Sequence, residues 1–209
     1  GGNTGSETGK TEQYNGTSWT EVSDMGTARD GLGGSGIGTS ALAAGGAPPP
    51  GDVAIAEEFN TTVNTITAAA WASGNNMNTG RGTAGDCGTY LAGLVFGGNP
   101  IAAPYQVALT EEYNGTSWTE SGDLAQDSAD VSGAGTQTAA LAFAFSSSPN
   151  TITQHYDGST WTTVPGSLPT AQNQARGIGT QTAAISVGYG SPGTESYEYD
   201  GSSWTASGD

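Results

Sequence analysis

One short segment recurs five times along this chain, and that recurrence restricts the fold more than any other property. The copies are Tyr14-Asn15-Gly16-Thr17-Ser18-Trp19, Phe59 to Trp71, Tyr113-Asn114-Gly115-Thr116-Ser117-Trp118, Tyr156-Asp157-Gly158-Ser159-Thr160-Trp161 and Tyr199-Asp200-Gly201-Ser202-Ser203-Trp204. Every one of the five tryptophans lies in a copy, at spacings of 52, 47, 43 and 43 residues. Repetition at a period of this length means that each unit cannot bury its own apolar face and must stack on its neighbours.

A second element follows each of the first four copies, at Gly36 to Gly46, Gly88 to Gly98, Gly135 to Phe145 and Gly179 to Tyr189. From each Trp to Ala44, Phe96, Phe143 and Val187 the counts are 25, 25, 25 and 26 residues. The other half of the unit varies, so it carries the loop insertions.

Local chemistry favours strands. Asn-Gly and Asp-Gly pairs tolerate positive φ and mark tight turns, here of three or four residues between the aromatic and the Trp. A second hairpin is expected from Leu32 to Gly36 with Ala41 to Ala44, and from Val131 to Gly135 with Ala139 to Phe143. Small residues alternate there with Leu, Val, Ile and Phe, as suits inner strands whose backbones approach closely. No helix-length amphipathic period appears. Four short strands per unit predict an all-β propeller, or a propeller fragment, of four-stranded antiparallel blades. The Trp falls in the outer hairpin and the Gly-rich strands lie inside. The units divide as 1–24 (an outer hairpin alone), 25–76, 77–123, 124–166 and 167–209, a single array.

The order of features resembles a kelch repeat. Thr27-Ala28-Arg29 leads to Gly45-Gly46, then Phe59 and Trp71; Thr79-Gly80-Arg81 leads to Gly97-Gly98, then Tyr113 and Trp118. The third and fourth units keep Tyr156, Trp161, Tyr199 and Trp204. They replace the double glycine by Ala144-Phe145 and Gly188-Tyr189, and the arginine by Ser128 and Ala171, with Arg176 out of register. The wording Thr-Glu-x-Tyr-Asn-Gly-Thr-Ser-Trp-Thr, followed by Gly-Thr-Gln-Thr-Ala-Ala-Leu-Ala-Phe, resembles kelch-like arrays in structural or tail-fibre-region proteins of marine bacteriophages and in surface proteins of marine bacteria. That resemblance implies a virion or extracellular, cell-surface location and a structural role.

Composition narrows the function classes. Twenty acids face four Lys and Arg, for a net charge of −16, so there is no basic groove to neutralise phosphates and no nucleic acid is expected as partner. No apolar run reaches the length of a membrane span, and no membrane insertion is expected. The single cysteine, Cys87, precludes an internal disulfide framework and reads as a small core or semi-exposed residue. The single histidine, His155, reads as a surface residue at a turn edge. No triad, metal set or cofactor motif stands out from the array, and the chain is expected not to be an enzyme.

The repeated residues read first as architecture: Tyr14, Phe59, Tyr113, Tyr156 and Tyr199 with the five Trp as blade packing, and Arg29 and Arg81 as inter-blade clips. The acid pairs Glu57-Glu58 and Glu111-Glu112 read as edge or surface acids, since calcium-loop spacing is missing. Recognition, if present, belongs to the insertions at 47–57, 60–70 and 99–109, where loops on a rigid repeat meet partners. Asn60, Thr62 and Asn64 in one loop and Tyr105 in another are the candidates for contact with a cell-surface glycan or receptor. The expected function is a non-catalytic structural domain whose partners are other structural proteins or copies of itself. A carbohydrate- or receptor-binding module stands second and a hydrolytic propeller third. Five outer hairpins against four inner ones cannot give a ring of complete blades. The sequence also reads as cut from a longer protein of five to seven blades, whose further sequence, or a neighbouring chain, covers the open inner edge.

Overall fold

The computed structural model describes residues 2–3, 5–48, 51–60, 70–189 and 195–207. Among them every regular element is a strand. Four sheets of four antiparallel strands each stand around a central channel, in the manner of a four-bladed β-propeller. Blade 1 runs outward from the channel as Gly33–Ile37, Ser40–Ala44, Ala56–Asn60 and Ala70–Ser73. Blade 2 is Gly85–Thr89, Ala92–Phe96, Thr110–Tyr113 and Trp118–Ser121. Blade 3 is Ser132–Thr136, Ala139–Phe143, Thr153–Tyr156 and Trp161–Val164. Blade 4 is Asn173–Thr180, Ala183–Tyr189, Ser196–Tyr199 and Trp204–Ala206. Ahead of blade 1 stands a two-stranded hairpin, Thr11–Tyr14 with Trp19–Val22. Two short pairs, Gly2–Asn3 with Glu7–Thr8 and Arg81–Gly82 with Asn99–Pro100, complete the set. The expected four-strand unit, with Trp outside and glycine inside, is therefore what forms. The count of five outer against four inner hairpins also holds.

Turn chemistry fixes the outer hairpins. The side chain of Asn114 accepts the backbone N–H groups of Thr116 and Ser117 at 3.0 and 2.9 Å, and Gly115 takes φ 86°. Asp200 does the same for Ser202 and Ser203, both at 2.8 Å. The aromatic then pairs directly with the Trp, as Tyr113↔Trp118 and Tyr199↔Trp204, with ring centroids 4.9 Å apart in both. The inner hairpins turn more tightly than the sequence suggests: Ile37 pairs with Ser40 and Thr136 with Ala139, leaving two-residue turns.

The innermost strands touch each other from blade 1 to 2, 2 to 3 and 3 to 4. Glycine makes this possible. A Cβ on Gly133 would stand 2.6 Å from both the Asp86 carbonyl oxygen and Phe96 Cζ, and one on Gly177 would stand 2.8 Å from Phe143 Cζ. Blade 1 has Ala44 where blades 2 and 3 have Phe96 and Phe143. In the space beside it the innermost strand of blade 2 carries Asp86 where blades 3 and 4 carry Gly133 and Gly177. The apolar core lies between blades: Phe96 stacks on Trp161 at 4.7 Å and Phe143 on Trp204 at 4.9 Å.

Candidate functional site

The repeat residues form joints. The indole N–H of Trp161 donates to Thr110 Oγ1 and that of Trp204 to Thr153 Oγ1, each at 2.9 Å and each one blade back. Trp71 reaches Thr11 Oγ1 of the first hairpin at 3.0 Å. Trp118 faces Ala56, which has no hydroxyl, and donates instead to the Asn75 carbonyl at 2.9 Å. A parallel set uses the aromatic. Tyr113 donates to Glu58 and Tyr156 to Glu112, both at 2.5 Å, and Tyr199 Oη lies 3.0 Å from His155 Nε2. Burial, helped by these carboxylates, pushes the Tyr113 and Tyr156 phenols up. A third set was missed in sequence: Gln137 Nε2 donates to the carbonyls of Gly93 and Tyr113 at 3.0 and 2.7 Å, and Gln181 to those of Ala140 and Tyr156 at 3.0 and 2.6 Å. The signal was the repeated Thr-Gln-Thr at 136–138 and 180–182.

Several expectations need correction. Arg29 and Arg81 lie in the segments that lead into blades 1 and 2 and hold each segment to the third strand of the same blade, rather than tying two blades together. Arg29 Nη1 lies 2.5 Å from Glu57 Oε1, and Arg81 Nη1 lies 3.1 Å from Glu111 Oε1, all four side chains being buried. Glu57 and Glu111 are thus interior groups, not surface acids. Their carboxylates also accept backbone N–H groups, from Gly26 at 2.7 Å and from Asn78 at 2.7 Å. Desolvation pulls the Arg81 guanidinium below its usual range against the pull of Glu111. Among the described residues, Nε of both arginines has no hydrogen-bond partner. In blade 4 the arginine's place belongs to Gln172, not Ala171; it accepts the Ser186 hydroxyl and donates to the Glu195 carbonyl. His155 lies mid-strand, between blades, rather than at a turn edge, and burial lowers its pKa. Cys87 is buried, as read, and burial raises its thiol far above the reactive range.

The double glycine has its physical reason here. Gly46 and Gly98 take φ of 92° and 107°, and a Cβ on either would sit 3.2 Å from the Cδ of Arg29 or Arg81. Where Ser128 replaces the arginine, Phe145 replaces the second glycine and joins the core with Leu124 and Tyr156.

The channel is the other polar locus. Gly34, Gly36, Gly88, Gly133, Gly135, Gly177 and Gly179 line it beside one acid, Asp86. Desolvation pushes the Asp86 carboxyl up to about 7, with Arg176 and the Gly34 backbone opposing. At the channel mouth Gly31, Thr83, Asp130 and Gln174 all take φ between 50° and 60°. Among the described residues no group of three or more His, Cys, Asp or Glu is placed to hold a metal ion.

The residues singled out for recognition do not converge. Asn60 is exposed at the far end of its strand, and Tyr105 precedes the equivalent strand of blade 2, Thr110–Tyr113. The two therefore lie at opposite ends of the blades. Thr62 and Asn64 lie outside the described residues. Tyr105 is 66% exposed. Trp19 and Tyr14 depart from the packing role: Trp19 is 64% exposed, against 6% for Trp118. They stand with Ile37 at one end of the array; further exposed apolar side chains are Leu91, Ile101 and Tyr105 in blade 2 and Ile178, Ile185 and Val187 on blade 4.

These features define an all-β, four-bladed propeller-like repeat protein. No protein-family model matches the chain, and no curated protein matches it.

Proposed function

We propose that this chain is a non-catalytic structural repeat domain of a virion or other extracellular surface assembly. The observation that carries this reading is the engagement of the repeated polar side chains in joints: Trp161 with Thr110, Trp204 with Thr153, Tyr113 with Glu58 and Tyr156 with Glu112. Exposed apolar side chains at both ends of the array, Tyr14, Trp19 and Ile37 at one and Ile178, Ile185 and Val187 at the other, offer surfaces where neighbours in an assembly would meet it. The kelch-like order of the repeat, and the resemblance of its wording to phage and marine surface arrays, support the setting. Its partners are then other structural proteins or copies of itself. Immunogold labelling with antibodies against this chain, on particles and whole cells of the source culture, tests the reading. Label on particles or outer surfaces is expected; label confined to the cytosol contradicts it.

A second reading, a carbohydrate- or receptor-binding module, is favoured by Tyr105, which stands exposed with Ile101 in the loop from Asn99 to Leu109. Aromatic rings on a rigid scaffold suit stacking on a sugar face. Binding on a glycan array that falls at least tenfold in Tyr105→Ala supports this reading, and binding indifferent to that change removes it.

A further inference from the structure

In all four blades the third strand is paired on both sides, and the residue opposite its aromatic is small: Ala41 opposite Phe59, Gly93 opposite Tyr113, Ala140 opposite Tyr156 and Ala184 opposite Tyr199. The strand Thr11–Tyr14 is the exception. Among the described residues it pairs with Trp19–Val22 alone, which leaves its other edge open to strand addition. That edge opens into a groove of roughly 560 Å³ lined by Thr11, Trp19, Leu32, Ile37, Ala43 and Trp71. Ile37 is 70% exposed on its wall.

We propose that this groove binds a partner β-hairpin with the chemistry of the chain's own inner hairpins, added edge-on to Thr11–Tyr14. The four internal blades show what fits. The occupant strand carries Ala or Gly opposite Tyr14. Opposite Thr11 it carries an aromatic that stacks on Trp71, as Phe96, opposite Thr110, stacks on Trp161. The inner hairpin of blade 3, Ser132–Thr136 with Ala139–Phe143, bears no charged residue, so burying its like desolvates no ion. A second copy is excluded as donor by its own geometry, because all four of its inner hairpins are already paired. Recognition is by strand addition: main-chain bonds hold the hairpin and side-chain size sets the choice. The inference rests on the repeat geometry and stands whether or not the virion setting holds.

Two arms test it. In the first, a fluorescein-labelled peptide of residues 131–145 is titrated against the full chain by anisotropy. In the second, the same segment is appended by a flexible linker after Asp209, which removes the demand for solubility of a free peptide. Saturable 1:1 binding, or a fusion with a higher melting temperature and Trp fluorescence less quenched by acrylamide, is expected. Either effect should fall at least tenfold, or vanish, with Ile37→Glu, which changes only an exposed side chain. Absence of both effects overturns the proposal. So does an effect reproduced by a scrambled segment or unmoved by Ile37→Glu. A dimer in light scattering that Ile37→Glu dissociates would assign the groove to a second copy and overturn it as well.

Discussion

The indole N–H of Trp161 reaches the hydroxyl of Thr110 at 2.9 Å across the junction between blades 3 and 2, and Trp204 repeats the contact on Thr153. Each pair is buried and joins residues 51 positions apart. Thr110→Val keeps the shape and removes the acceptor, leaving an indole N–H without a partner. A loss of about 1–3 kcal/mol in chemical denaturation is expected, with the same for Thr153→Val. Thr11→Val, at the half-buried first hairpin, should cost less.

The buried pair of Arg81 and Glu111 is costly to break from one side. Glu111→Ala leaves a guanidinium in an apolar setting and frees the backbone N–H of Asn78 and Thr79. Equilibrium unfolding should show a loss of about 3–5 kcal/mol. The exposed pair of Lys10 and Glu21 at 3.1 Å supplies the contrast: Glu21→Ala should leave the unfolding midpoint nearly unchanged, because solvent screens the pair.

Glycines at one repeat position should differ in tolerance. A Cβ on Gly133 meets Phe96 Cζ and the Asp86 carbonyl at 2.6 Å, whereas one on Gly34 has nothing nearer than the Leu42 carbonyl at 3.7 Å. Gly133→Ala is expected to destabilise by about 1–3 kcal/mol through overpacking, and Gly34→Ala to lie within about 0.5 kcal/mol of the parent protein. Melting curves of the two variants check this.

Asp86 sets a pH dependence of known sign. Its carboxyl titrates near 7 in the folded chain because burial disfavours the anion. A raised folded value means its contribution is fully present below the ordinary carboxylate value and lost as pH rises through about 7. Asp86→Asn should therefore raise the melting temperature at pH 8, with the gain shrinking toward pH 4. Asp157 and Asp200 have the opposite sign. Backbone N–H and hydroxyl bonds, led by the N–H of Thr160 and of Ser203, hold them near 2. Their contribution is present above the ordinary value and lost as pH falls through 2.

Much of the architecture was legible because it is local. Asn-Gly and Asp-Gly turns and the fixed Trp-to-Phe spacing declare hairpins without reference to the rest of the chain. The junctions were not legible, because they join residues 24 to 60 positions apart through side chains whose local sequence gives no sign of a partner. Glu111 next to Glu112 reads as a surface pair, yet one faces Arg81 within the blade and the other faces Tyr156 in the next. Strand alternation sends neighbouring side chains to opposite faces, and both faces of a blade are covered. The shift at blade 4 was hidden because counting from Trp161 points to Ala171, whereas counting back from the innermost strand, where Arg176 pairs with Val187 as Gly85 pairs with Phe96, points to Gln172. The candidate binding loops were visible as insertions, but which end of a blade each occupies depends on strand order.

Four of the five tryptophans join neighbouring units through their indole N–H, while Trp19 packs on Tyr14 of its own hairpin and is 64% exposed. Hydrogen exchange of the five indole N–H groups, followed by ¹⁵N NMR on the full chain, tests it most directly. The account predicts slow exchange for Trp71, Trp118, Trp161 and Trp204, and exchange at the rate of a solvent-exposed indole for Trp19. Protection of Trp19 in the isolated monomer, or free exchange at Trp161 or Trp204, would contradict it.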